Sequence, residues 1–317
     1  MQNFKHWDSF LYFCSASNSQ EFLKNSYRRL NIESADQKSY ENCYPFIYYL
    51  EHAQIYYEQA KLAPIVIQPI LLFYGFVHLI KACILTVDPN YPETTSVLAH
   101  GVSARKRKKQ QYHFFQDEVR FQKSGLFPYM GMKMFHMKHL EGQKATMKEL
   151  LAQLPELNSL FIETAGKSNF LKLNKQGEQF SLPKKILDHY FMTETHFLDY
   201  LKREMSSSIS LQEPDEDFIH FNLDEQQQNK LLPIKYCMDS SQYYFPLAKN
   251  DLNQFPELLI HYLLLYNLSM IARYETEWWS ELIKMMPNED YPFIRSFLNL
   301  TAKKGPYLIY QILKEKK

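Results

Sequence analysis

The stretch Ile65-Val-Ile-Gln-Pro-Ile-Leu-Leu-Phe-Tyr-Gly-Phe-Val-His-Leu-Ile-Lys-Ala-Cys-Ile-Leu85 decides how the chain is read. It is long enough to cross a bilayer, yet it carries Gln68, Pro69, His78 and Lys81, which are costly in hydrocarbon. Leu72, Phe73, Phe76, Val77, Ile80, Cys83 and Ile84 cover most of a helix circumference, the pattern of a buried helix at the centre of a bundle. Pro69 suits the first helical turn, where its missing N–H is not needed. Asp88-Pro-Asn-Tyr-Pro92 stops the helix, because residues before proline avoid the α region.

Helical patterning extends on both sides of this element. Glu21 to Leu30 reads as a short charged helix capped by Ser19. Tyr44 to Leu62 places Ile47, Leu50, Ile55 and Leu62 among Glu51, His52, Gln54 and Glu58, and Pro64 breaks it. Near the C-terminus a helix is expected from Pro256 through Leu258, Leu259, Tyr262, Leu263, Tyr266 and Met270 toward Met285, and a last one over Phe293 to Ala302.

The middle differs. Tyr112 to Gln122 is aromatic with partial alternation and reads as a strand or hairpin. Met147 to Leu154 reads as a short helix. Phe170 to Leu173 and Gln179 to Leu182 flank Asn174-Lys-Gln-Gly177, a hairpin-turn sequence, and Asp217 to Leu223 and Lys230 to Cys237 add two strands. The expected fold is α+β, mainly α: a helical bundle formed by the N- and C-terminal helices, with a small β-containing insertion between them. Its parts are residues 1–100, 101–250 and 251–317.

Composition narrows the function classes. A net charge of +1 gives no overall field toward nucleic acid, so any such attraction must come from a patch. With only 8 glycines, folds built on glycine-rich dinucleotide turns are disfavoured. Cys14, Cys43, Cys83 and Cys237 form no C-x-x-C pair and suit buried thiols in a reducing cytosol. The N-terminus lacks the apolar core of a signal peptide, so the protein is expected to be cytoplasmic.

The charge is concentrated in Leu98-Ala-His-Gly-Val-Ser-Ala-Arg-Lys-Arg-Lys-Lys109, five consecutive cations following a His-Gly turn. Such a run invites an anion, a phosphate above all. Gly101 lets a ligand approach the backbone. Arg105 and Arg107 can grip phosphate through paired N–H donors, while Lys106, Lys108 and Lys109 act as point charges. His100 can donate to a phosphate oxygen or move a proton, and Tyr112 can stack on a base. The plain alternative is a solvated basic loop, or one that answers the acidic Asp215–Asp217. Arg273, at the end of a very apolar segment, is a candidate second contributor, because an arginine there is normally paired or bound. Its plain role is an inter-helix contact.

Two other patterns carry no site. Ala165-Gly-Lys-Ser168 resembles the end of a P-loop, but Phe161 stands where the motif needs glycine. His136/His139 and His189/His196 lack a metal-ligand spacing with carboxylates or thiols. No metal and no cofactor is expected.

Leu72-Phe-Tyr-Gly-Phe-Val-His-Leu-Ile-Lys-Ala82, Asp88-Pro-Asn-Tyr-Pro92, His100-Gly101 with its basic tail, Gly125-Leu-Phe127 and Leu268-Ser-Met-Ile-Ala-Arg-Tyr274 together resemble the YaaC-like proteins of Bacillus and relatives. The resemblance implies a cytosolic protein encoded near guanine-nucleotide synthesis. It also implies a purine-nucleotide or metabolic-regulatory role and a protein partner such as IMP dehydrogenase. More loosely, Phe73-Tyr74 through His100 is similar to HEPN domains, helical bundles of nucleotide-binding proteins and RNA-cleaving toxins. RNA-cleaving members carry an arginine and, four to six residues on, a histidine. Arg107 and His113 meet that spacing in a segment that reads as loop and strand, whereas Arg273 has no downstream histidine.

Three functions therefore stand open. The first is a regulatory protein that binds a phosphorylated purine nucleotide, a guanine nucleotide or alarmone, and acts on a protein partner. The second is a metal-independent ribonuclease using His100, Arg107 and His113. The third is a structural interaction module.

Overall fold

A computed structural model describes residues 4–104, 113–205, 209–213, 215–223 and 232–317. The chain forms two compact units, one of residues 1–147 with 261–317, the other of 148–260. Among the described residues the architecture is α+β and mainly α.

The first unit opens with a 3-10 helix over His6–Cys14, then α1 (Ala16–Arg29), α2 (Ala35–Leu62) and α3 (Gln68–Leu85). Ser15, not Ser19, caps α1, accepting the Asn18 N–H at 3.4 Å. Ser19 is instead buried in that helix and donates to the Phe13 carbonyl at 2.7 Å. Pro69 sits in the first turn of α3, whose apolar residues are buried nearly all round. This helix is long and apolar enough to cross a membrane, but 67% of it is buried inside the protein. It packs beside α2 and, near the C-terminus, α11 (Asp290–Glu315).

Beyond α3, β1 (Val102–Ala104), β2 (Glu118–Phe121), α4 (Leu126–Phe135) and β3 (Lys144–Thr146) follow. The strands make an antiparallel sheet in the order β1-β2-β3, with Ser103 opposite Arg120 and Val119 opposite Ala145. Of the described part of the expected Tyr112–Gln122 strand, residues 113–122, only Glu118–Phe121 is strand, and Phe114–Gln116 is a 3-10 turn. The reason is side-chain anchoring: the Phe114 N–H donates to the Asp290 carboxylate at 2.8 Å, and Asp117 accepts from Asn267 Nδ2 at 3.0 Å. Those bonds replace ladder partners.

The second unit follows α5 (Met147–Leu151), which begins at the boundary, with α6 (Asn158–Ala165), β4 (Phe170–Gln176), β5 (Gln179–Pro183), α7 (Ile186–Tyr190) and α8 (Glu194–Met205). Then come β6 (Ile209–Leu211), β7 (Phe218–Leu223), β8 (Lys235–Cys237) and β9 (Gln242–Pro246). Six antiparallel strands run in the order β6-β7-β5-β4-β9-β8. Strand alternation sends Leu171, Leu173, Phe180, Leu182, Ile219, Phe221, Tyr243 and Phe245 to one face, where they join Phe197 and Leu201 of α8 in a single core. Because Gln176 pairs with Gln179, the β4–β5 turn is Gly177-Glu178, two residues past the expected Asn174–Gly177. Gly177 supplies the positive φ of +60° that the tight turn requires.

The chain ends with α9 (Glu257–Tyr274), α10 (Thr276–Met285) and α11, which runs well past the expected Ala302. Pro306 lies inside α11 without ending it, next to the buried Lys304 and Gly305.

Candidate functional site

In the first unit, α2 and α3 present matching polar stripes. Tyr49, His52 and Tyr56 recur at helical spacing on α2, and Tyr74, His78 and Lys81 on α3. The rings interlock: His78 stacks on Tyr56 at 5.6 Å and 21°, His52 meets His78 edge-on at 5.3 Å, and Tyr56 lies 6.1 Å from Tyr74. Lys81 Nζ stands 5.7 Å over the Tyr49 ring.

His100 enters from the turn after a 3-10 helix over Thr95–Leu98. Its carbonyl accepts the Tyr262 hydroxyl at 2.8 Å and the Phe127 N–H at 3.1 Å, fixing the backbone. The ring packs 5.0 Å from Phe73, 5.6 Å from Tyr266 and 6.4 Å from Tyr74. Gly101 has φ +76°, but a Cβ there would overlap Pro128 and the Gly125 backbone. The missing side chain thus makes room for protein, not for a ligand as expected.

Arg273, at the end of α9, completes the group. Its Nε donates to the Ser269 carbonyl at 3.0 Å and Nη1 to the Tyr74 hydroxyl at 3.2 Å. The guanidinium lies 5.8 Å from the Tyr74 ring and 5.3 Å from that of Tyr274. Among the described residues neither Arg273 nor Lys81 forms an ion pair, and Glu275 and Glu277 do not reach the guanidinium.

Burial and this excess of cations act on the histidines in the same direction. His78 is pushed down to about 4, first by burial and then by Lys81 and His52, and its buried Nδ1 has no partner among the described residues. His100 is lowered by burial, with Arg273 and Lys81 adding repulsion, and Lys81 is itself lowered by burial. At neutral pH the site therefore offers two half-buried cations, neutral imidazoles and tyrosine hydroxyls. That is a donor set for an oxyanion flanked by aromatic faces.

His100 and Arg273, expected as contributors, meet around Tyr74 and Tyr266. Arg105, Lys106, Arg107, Lys109 and Tyr112 lie outside the described residues. His113 is exposed near Asp290, whose carboxyl burial pushes up, and no contact joins it to His100 or Arg273 among the described residues. Lys81, His78, His52 and the tyrosines of α2 and α3 were not expected at the site. Their signal was present: His78 and Lys81 are the polar interruptions of the most apolar helix in the chain.

Gly166 of the P-loop-like tetrapeptide follows α6 as its left-handed C-cap, donating to the Ile162 carbonyl at 2.9 Å, whereas a P-loop precedes its helix. Among the described residues no three His, Cys, Asp or Glu side chains gather as a metal site. Ser181, His220 and Asp215 form a hydrogen-bonded chain, 2.9 Å at each step, which sequence order does not reveal. Ser181 lies within β5 between β4 and β7, so the local amides belong to sheet ladders rather than an oxyanion hole.

The first unit is thus mainly helical, with Lys81, His100 and Arg273 set among tyrosine rings. The sequence model of the family described as YaaC-like Protein matches residues 11–313, and the chain belongs to that family. No curated protein and no solved structure matches it.

Proposed function

We propose that the protein is a cytoplasmic regulator that binds a phosphorylated purine nucleotide, a guanine nucleotide or alarmone, at the Lys81–His100–Arg273 site. One observation carries the reading: two half-buried cations on different helices, Arg273 bonded to the Tyr74 hydroxyl and Lys81 over the Tyr49 ring, both act on His100, and among the described residues neither has an ion-pair partner. Uncompensated charge in such a setting costs stability unless an anion offsets it. Arg273 and Lys81 hold the phosphate, His100 donates to it, and the Arg105–Lys109 run that follows His100 in the chain adds charge. Tyr112 and the α2–α3 rings supply faces for the base. The bound state is passed to a protein partner such as IMP dehydrogenase, and the helical unit is an HEPN-like bundle.

Calorimetry with GMP, GTP and guanosine tetraphosphate tests the reading. Binding stronger than about −5 kcal/mol for at least one of them, a Kd of about 100 micromolar or tighter, is expected. No heat with any of them counts against it.

A second reading is favoured by the imidazole of His100 held neutral beside Arg273, the state a general base requires. It is a metal-independent ribonuclease, with His100 taking the proton and Arg273 stabilising charge in the transition state. It predicts RNA cleavage that survives chelator and disappears in His100→Ala. Intact RNA after prolonged incubation removes it.

A further inference from the structure

The second unit holds a cavity of about 1050 Å³ with a cationic rim. Lys148, Lys167, Lys172, Lys185 and His189 line it against one carboxylate, Glu149. Among the described residues, Lys167, Lys172 and Lys185 have no ion-pair partner, although the neighbouring Lys184 is paired with Glu194 at 2.8 Å. Lysines of one sign around one concavity repel each other unless an anion sits between them.

The floor is of another kind. Lys172 stands opposite Tyr244 across β4 and β9, on the sheet face away from the core formed by Leu171, Leu173, Tyr243 and Phe245. Phe170 meets Tyr244 edge-on at 6.3 Å, and Leu247 and Ala248 continue the apolar surface. The wall is held in shape by a small network. Asn158 accepts the Asn169 N–H at 2.8 Å, and Ser168 donates to the Phe170 carbonyl at 2.7 Å, so the loop carrying Lys167 is fixed. Within that wall Gln153 Oε1 and Asn169 Nδ2 are buried and have no hydrogen-bond partner among the described residues. An unpaired acceptor and an unpaired donor are costly in a native fold, and polar groups of a ligand or ordered water would satisfy them.

We propose that this cavity is a binding site for a nucleoside polyphosphate, separate from the Lys81–His100–Arg273 site. The lysine rim takes the phosphate chain, and the Phe170–Tyr244 floor takes the base. The volume suits a ligand of that size.

The test uses the full chain carrying Lys81→Ala and Arg273→Ala, so that failure of the first site does not decide the result. GTP and inorganic tripolyphosphate are titrated by calorimetry into this chain and into one that also carries Lys167→Glu, Lys172→Glu and Lys185→Glu. The expected result is one equivalent of GTP bound, more tightly than tripolyphosphate, and weakened at least tenfold by charge reversal. All three lysines are exposed, so an unchanged melting temperature is expected. If the reversed chain does not fold, the corresponding Lys→Gln variants replace it. No GTP binding to the first chain, binding indifferent to the lysines, or tripolyphosphate binding as tightly as GTP would each overturn the proposal.

Discussion

Arg273 Nη1 donates to the Tyr74 hydroxyl at 3.2 Å, joining the end of α9 to the middle of α3. The same guanidinium is tied to its own helix through Nε and the Ser269 carbonyl. Its Nη2 also donates to Ser269 Oγ at 3.5 Å and Met270 Sδ at 3.2 Å, so the arginine serves as an inter-helix contact and keeps one Nη1 N–H for an oxyanion. The two roles share one side chain.

Removing the hydroxyl alone separates them. Tyr74→Phe keeps the ring and loses the bond that orients Arg273. A hydrogen bond from the charged guanidinium, about 1.5–3 kcal/mol, corresponds to a loss of roughly tenfold to a hundredfold in affinity for inorganic phosphate. Phosphate titration of the two proteins checks this, and equal affinities would mean that Tyr74 does not position the guanidinium.

Protonation of the histidines links the site to pH. His78 lies at about 4 in the fold against an ordinary 6.5, and His100 is lowered as well. The unfolded chain therefore takes up these protons first as pH falls. Their contribution to stability is complete above about 6.5, declines below it, and for His78 is lost by about 4. His78→Phe is expected to flatten the fall in urea midpoint between pH 7 and pH 5. An identical slope would show that His78 is not held neutral.

Anion binding has the opposite dependence. A bound phosphate favours the imidazolium forms, so affinity is expected to rise as pH drops from 7.5 to 6, with proton uptake on binding. Calorimetry in two buffers of different ionisation enthalpy measures that uptake directly. Proton release would contradict the arrangement.

Tyr57 is wedged between two glycines. A Cβ on Gly75 would lie 2.7 Å from its ring, and one on Gly305 would lie 2.7 Å from its hydroxyl. Among the described residues that hydroxyl is buried without a partner, and burial pushes the phenol up. Gly75→Ala is expected to destabilise by about 1–3 kcal/mol through overpacking. Tyr57→Phe, which removes an unpaired polar group, is expected to leave stability unchanged or raise it by up to about 1 kcal/mol. Denaturant midpoints of both variants check the pair, and a large loss in Tyr57→Phe would show that the hydroxyl has a partner.

The central helix was legible because its apolar residues cover most of the circumference, while Gln68, His78 and Lys81 are costly in lipid. The hairpin of β4 and β5 was legible from alternation and Gly177. Strand β9, the partner of β4, was not anticipated: Tyr243, Phe245 and Pro246 are buried, but the run is short and follows turn residues. The 3-10 turn at Phe114 escaped for a different reason. Asp290, far along the chain, holds it, and local pattern cannot announce a partner 176 residues away. The site was half visible. His100 and Arg273 stand out as isolated polar residues in apolar surroundings, whereas Tyr49, His52 and Tyr56 look like an ordinary amphipathic face until α3 is laid beside them.

The most direct measurement is the affinity of the best-bound guanine nucleotide for the chain and for Arg273→Ala, by calorimetry at one pH and ionic strength. Loss of a charge-assisted contact of about 1.5–3 kcal/mol predicts a Kd at least tenfold weaker, with the melting temperature nearly unchanged. A nucleotide that binds both proteins within twofold would contradict the account.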